Sequence, residues 1–201
     1  LATSPRADDL AGLLATALRG RRTTEARLGA ALTAVRRHPR RRLLQDLLST
    51  AAEGSEGALE VRFVRDVLRR HGLPAGSGQL PASELIASAR TTRGSADLPG
   101  GADHDRRRFD RAIRAQRVVF ELDGRLYHQG SRRVADRRKS NWASRNGWLL
   151  LRYGWTEAVD DACLSALEIL DILVERGWRG TAHGCSADCP LSVTLNRRSV
   201  G

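Results

Sequence analysis

Methionine is absent from all 201 residues, position 1 included, so the chain is expected to be a truncated gene product or one trimmed at its start. No run of about 18 apolar residues occurs, which excludes a membrane-spanning helix, and no signal peptide is evident. The default expectation is a soluble cytoplasmic protein. Lysine is nearly absent as well: Lys139 is the only lysine among 34 basic residues, the skew of a GC-rich genome that favours arginine codons. Cysteine occurs three times, too rarely to say much about redox environment.

What is present bounds the architecture. With 41% apolar residues over 201 positions, the chain can bury one sizeable core plus a small helical appendage. The formal charge of +11 points toward a polyanionic partner. Arginine-favouring codon usage would also produce a merely solvated basic surface, so charge alone leaves both readings open.

Leucines 10, 13, 14 and 18, then Leu28, Leu32 and Val35, then Leu43, Leu44, Leu47 and Leu48 recur at helical spacing. These three short helices fill a segment over residues 1–53. The next helix buries Leu59, Phe63 and Val67 and ends at Gly72. Between 75 and 105 the Gly, Ser, Pro and Thr content rises, with weak strands expected near Gln79 and near Leu85 to Ala87. Strands over 107–113 and 117–123 follow, then a basic helix over 131–146. An apolar strand over 148–153 comes next, then a helix carrying Leu164, Leu167, Leu170 and Val174 inward. This order predicts an α/β layered domain with a mixed sheet.

The densest chemistry lies at Glu121-Leu122-Asp123-Gly124, after the apolar run Val118-Val119-Phe120. Side chains alternate along a strand, so Glu121 and Asp123 share a face. Neighbouring carboxylates resist ionising together unless a cation or a raised pKa compensates, and a divalent metal is the simplest cation. Asp110 stands eleven residues before Glu121, on the preceding strand. Spacing alone leaves Asp110 and Glu121 as either metal ligands or solvated strand-end carboxylates.

The surrounding landmarks are ordered: Glu60 on its helix, His71-Gly72-Leu73-Pro74, Asp110, Glu121-x-Asp123-Gly124, Tyr127-His128, Asp136-Arg137-Arg138-Lys139-Ser140-Asn141, and Gly147-Trp148 through Trp155. Over about residues 54–180 this series resembles the domain-of-unknown-function 559 family. Its members are relatives of the very-short-patch-repair endonucleases within the PD-(D/E)XK nuclease superfamily. The resemblance is to actinobacterial members, which often carry an AbiEi-antitoxin-like winged-helix region at the N-terminus; that region is not visible here.

The resemblance implies a restriction-endonuclease-like mixed sheet flanked by helices, and a DNA endonuclease using Mg²⁺ or Mn²⁺. Asp110 and Glu121 would hold the metal, with Glu60 and Asp123 assisting and His128 or Lys139 handling protons or charge. Arg132, Arg133, Arg137 and Arg138 would contact the DNA backbone, or form a solvated helix face. Asp123 stands where the superfamily has lysine, which puts catalysis rather than fold in question. Either Lys139 or Arg138 points back to Glu121 and supplies the cation, or the lone lysine is retained by chance on a solvent-facing helix face. The rival reading is a catalytically weak or inactive nuclease-fold module that binds DNA or a partner toxin, in a toxin–antitoxin or defence setting. Trp148, Tyr153 and Trp155 read as core rather than base-stacking platforms. Residues 181–201 read as a flexible Cys-bearing tail: His183, Cys185 and Cys189 lack an obvious fourth ligand for zinc, and Cys163 reads as inert packing.

Overall fold

The computed structural model describes residues 5–35, 37–53, 57–90, 107–124 and 133–199. The N-terminal helices are α1 (Ala7–Arg19), α2 (Glu25–Ala34) and α3 (Arg41–Glu53). Helix α4 (Gly57–Arg62) continues through a π-type turn (Phe63–Leu68) and a 3₁₀ turn (Arg69–His71). Then come β1 (Ser77–Pro81), α5 (Ala82–Arg90), β2 (Arg108–Ile113), β3 (Val118–Leu122), α6 (Arg133–Arg145), β4 (Leu149–Tyr153), α7 (Ala162–Glu175) and α8 (Pro190–Ser199).

The four strands form one mixed sheet in the order β1-β2-β3-β4. β1, β2 and β3 pair antiparallel, whereas β4 pairs parallel to β3. A parallel neighbour needs a crossover connection, and the segment containing α6 supplies it. Val118, Val119 and Phe120 are all fully buried, as expected of an inner strand covered on both faces. The α/β layering and the mixed sheet read from the sequence are therefore present.

Helices α1, α3, α4, α7 and α8 contribute to a large core on one face, with Ile113, Val118, Phe120 and Leu122 from the sheet. Phe63 stands at its centre, with its ring 5.4 Å from Phe120 and 5.1 Å from Tyr153. In the π-type turn, positions 63 and 68 fall on one side, so Phe63, Val67 and Leu68 are all fully buried. A smaller cluster gathers Leu80, Ala82, Leu85, Phe109, Ala112, Val119, Trp142, Ala143 and Trp148 with α5 and α6.

Two local expectations are corrected, and the packing phase of α1 is resolved. The stretch around Leu85 is helical, not a strand: Ala82 and Leu85 are three residues apart and both fully buried, which is a helical spacing. On α7 the core-facing set is Ala166, Ile169, Leu170 and Leu173, while Leu164 and Val174 are 55% and 38% exposed. That helix is apolar around much of its circumference, so two phases of the 3.6-residue period fit the sequence and tertiary packing selects one. On α1 the inner stripe is Ala7, Ala11 and Ala15, and Leu13 lies outside at 65% exposure.

The segment expected as a flexible tail contains α8, and Cys189 and Leu191 beside its start are buried. Its approach is fixed at Gly72, which has φ of +72°. A Cβ there would come within 2.8 Å of the Thr181 carbonyl oxygen, so glycine meets both a left-handed backbone and a close crossing. The His183 N–H donates to the His71 carbonyl at 3.1 Å.

Candidate functional site

Two clusters of chemically active side chains stand out among the described residues. The first is built on β2, β3 and α6. The antiparallel ladder sets Arg111 opposite Phe120 and Ala112 opposite Val119, which brings Asp110 to the Glu121-Leu122 peptide. The Leu122 N–H donates to Asp110 Oδ2 at 2.7 Å. Lys139 reaches back from α6, and its Nζ lies 2.6 Å from Glu121 Oε2. It also lies 5.8 Å from the centre of the Phe109 ring, a cation–π distance. In the parallel ladder Arg152 is the register partner of Glu121.

Glu121 is the perturbed group. Burial pushes its carboxyl up from the ordinary 4.5 to about 7, with Asp110 adding to the rise, while Lys139 and Arg152 oppose it. Its side chain is 15% exposed, and Oε1 is buried with no hydrogen-bond partner among the described residues. A buried oxygen lacking a donor is an unmet electrostatic demand. A hard cation satisfies that demand with carboxylate ligands.

The remaining residues of the sequence-based site fall as follows. Asp123 is exposed, and its N–H donates to the Tyr153 carbonyl, continuing the β3–β4 pairing. Glu60 Oε1 accepts from Arg111 Nη2 at 2.8 Å, so its carboxylate is held by an arginine at the β2 side of α4. Arg137 and Arg138 are exposed on α6. His128 and Arg132 lie outside the described residues, as does the side chain of Arg133. Gly124, after the acidic turn, has a steric role: a Cβ would sit 3.2 Å from Leu59 Cδ2. The Trp155 indole N–H donates to the Gly124 carbonyl at 3.3 Å.

The second cluster joins residues far apart in sequence. His71, Cys163, Cys185 and Cys189 present ligand atoms that all lie within 4.8 Å of one another, and the four could hold a metal ion. Thiolates and imidazole are softer donors than Mg²⁺ prefers, so this group is distinct in kind from the carboxylate pair. Burial pushes the Cys163 thiol up to about 12, with the Cys185 and Cys189 thiols adding to it. Burial also opposes ionisation of Cys189, but backbone N–H groups of Cys185, Ser192 and Leu191, with His71, outweigh it and bring that thiol down to about 6. His183, which shares the H-x-C-x3-C spacing with Cys185 and Cys189, is exposed and outside the cluster. His71 and Cys163 take the two further places. Linear spacing could not reveal them, because His71 and Cys189 are 118 residues apart.

No helix among the described residues is long and apolar enough to cross a membrane. No protein-family model matches the chain, and neither the curated proteins nor the solved structures include a significant match.

Proposed function

We propose that the chain is a metal-dependent DNA endonuclease of the PD-(D/E)XK kind, with its site at Asp110, Glu121 and Lys139. The observation that carries this reading is the meeting of two carboxylates and the only lysine of the sequence at one end of a mixed sheet. The missing superfamily lysine at position 123 is then replaced in space by Lys139, from the helix that follows. A restriction-endonuclease-like fold is part of the same proposal, supported by the antiparallel β1-β2-β3 unit and the parallel β4.

Asp110 and Glu121 fit a hard divalent cation, because Glu121 Oε1 is buried and unpartnered among the described residues. The chemistry that Mg²⁺ or Mn²⁺ supplies there is polarisation of the scissile phosphate and easier ionisation of the attacking water. The chain's own groups do the rest. The Leu122 N–H orients Asp110, and the compact Lys139 ammonium keeps a positive charge where negative charge develops on phosphate. Arg137 and Arg138 on the exposed side of α6 are suited to hold flanking phosphates without reading sequence.

A test uses the purified chain with supercoiled plasmid, single-stranded DNA and mismatched duplex, with and without Mg²⁺ or Mn²⁺. Metal-dependent nicking that disappears in Asp110→Asn and Glu121→Gln is the expected result. Salt-sensitive DNA binding with no cleavage in any arm would replace the enzyme by the DNA-binding module. Absence of both would discard the nucleic-acid reading and leave the toxin-binding one.

A further inference from the structure

We propose that His71, Cys163, Cys185 and Cys189 form a structural zinc site that fastens the C-terminal segment to the helices behind the sheet. Tetrahedral zinc with bonds of about 2.3 Å to sulfur and about 2.0 Å to nitrogen places ligand atoms about 3.5–3.8 Å apart. Cys163 Sγ lies 3.4 Å from Cys185 Sγ, and Cys189 Sγ lies 3.6 Å from His71 Nε2. A disulfide would bring two sulfurs to about 2.05 Å, and all three cysteines are free thiols.

The histidine is prepared for this role. Its ring is fully buried, and Nδ1 lies 2.9 Å from the Val67 carbonyl. A carbonyl only accepts, so Nδ1 carries the proton and Nε2 turns its lone pair toward the sulfurs. A hydrogen bond from the non-coordinating ring nitrogen to a carbonyl is the usual support of a metal-bound histidine. A buried histidine serving only as packing would have no need of three thiols around its second nitrogen. Cys189 stands just before α8, and the Val193 N–H donates to its carbonyl at 3.1 Å; the start of that helix favours a thiolate.

Ligand number and type argue for zinc over other ions. Three thiolates and one imidazole complete a tetrahedral set with no open position, the pattern of structural rather than catalytic zinc. The four ligands come from the 3₁₀ turn that ends the continuation of α4, the first turn of α7 and the segment leading into α8, so one ion would cross-link three separate parts of the chain.

The full chain, prepared reduced and without chelator from zinc-supplemented cells, is assayed for metal by mass spectrometry. The expected content is about one zinc per chain, unchanged in His183→Ala and reduced at least about tenfold when Cys185 and Cys189 are both replaced by serine. Substitution of buried ligands can also unfold the chain, so the wild type carries the deciding measurement. After chelation, Co²⁺ alone is added; the intense visible bands of tetrahedral cobalt and a thiolate charge-transfer band should saturate at one equivalent and be bleached by Zn²⁺. Removing the metal should also accelerate amide hydrogen exchange over residues 181–195 while β3 stays protected. A six-coordinate cobalt spectrum, wild-type protein isolated without zinc, or a Cys163–Cys185 disulfide in its place would overturn the site. Unchanged exchange over 181–195 would overturn its fastening role.

Discussion

Replacing Glu121 by glutamine separates what the fold prefers from what metal binding needs. The folded-state pKa of about 7 lies above the ordinary 4.5, so between these values the folded chain holds a proton that the unfolded chain has lost. Stability from this group is complete below about pH 4.5 and is lost as pH rises through about 7. At about 1.4 kcal/mol per pH unit, that interval corresponds to about 3 kcal/mol. Glutamine keeps the shape of the neutral carboxyl and never ionises. It also leaves Lys139 without its partner, but that side chain is 25% exposed and can turn its ammonium to water. Glu121→Gln should therefore be more stable than wild type at pH 8 by about 1–3 kcal/mol, and the two should converge near pH 5.

Urea denaturation at pH 5, 6, 7 and 8, without added divalent metal, measures this directly. The same variant should have lost metal-dependent DNA cleavage, so that one substitution raises stability and removes activity. A variant that is less stable than wild type at pH 8, or a difference that does not change with pH, would refute the account of Glu121 as a buried carboxylate held at energetic cost. Added Mg²⁺ should stabilise wild type and leave Glu121→Gln unaffected, because only a ligand of the folded state shifts the equilibrium.

Lys139→Ala removes the charge that holds the Glu121 pKa down, so the acid limb of the cleavage–pH profile should move to higher pH, and Lys139→Arg should restore the limb; an unmoved limb would separate Lys139 from Glu121 ionisation. Replacing Arg137 and Arg138 together by alanine should reduce the slope of log affinity against log salt by about two, as expected for two lost phosphate contacts; filter binding across salt concentrations checks it, and an unchanged slope would assign both to solvent. Asp8 accepts from the N–H groups of Trp155 and Thr156, each at 3.2 Å, and so caps the turn that follows β4. Asp8→Ala should cost about 1 kcal/mol in chemical denaturation, and a neutral result would show that water replaces the cap.

How much of this was legible in sequence depended on the range of the interactions involved. The apolar run at 118–120 and its acidic end specify a buried strand locally, because strand alternation and the turn at Gly124 act over a few residues. Helix α6 and its basic face were equally local. Helix α5 was hidden by the Gly- and Ser-rich stretch around it, since its inner face needs Phe109 and Trp142 to be recognised as an inner face. The Cys and His cluster was legible only as H-x-C-x3-C. The exposed His183 satisfied the pattern on paper, whereas the buried His71 satisfies it in space. The pairing of Lys139 with Glu121 was suggested by rarity rather than by spacing, as the single lysine in an arginine-rich chain.

Helix α4 and its continuation connect the two clusters physically. Near its start, Leu59 lies within 3.2 Å of where a Cβ at position 124 would sit, and Glu60 pairs with Arg111, the neighbour of Asp110 on β2. Midway, Phe63 packs on Phe120 and Tyr153, and at its end His71 enters the thiol cluster. The Glu121 carboxylate instead meets α6 through Lys139. Helix α4 therefore contributes to the carboxylate pair by positioning the strands that carry it, and α6 contributes the charge. An ion at His71 would hold the far end of that support without touching the acidic site. Loss of zinc should thus loosen the C-terminal segment first and reach Asp110 and Glu121 only through the packing of α4, a gradation that follows from the contacts each residue makes.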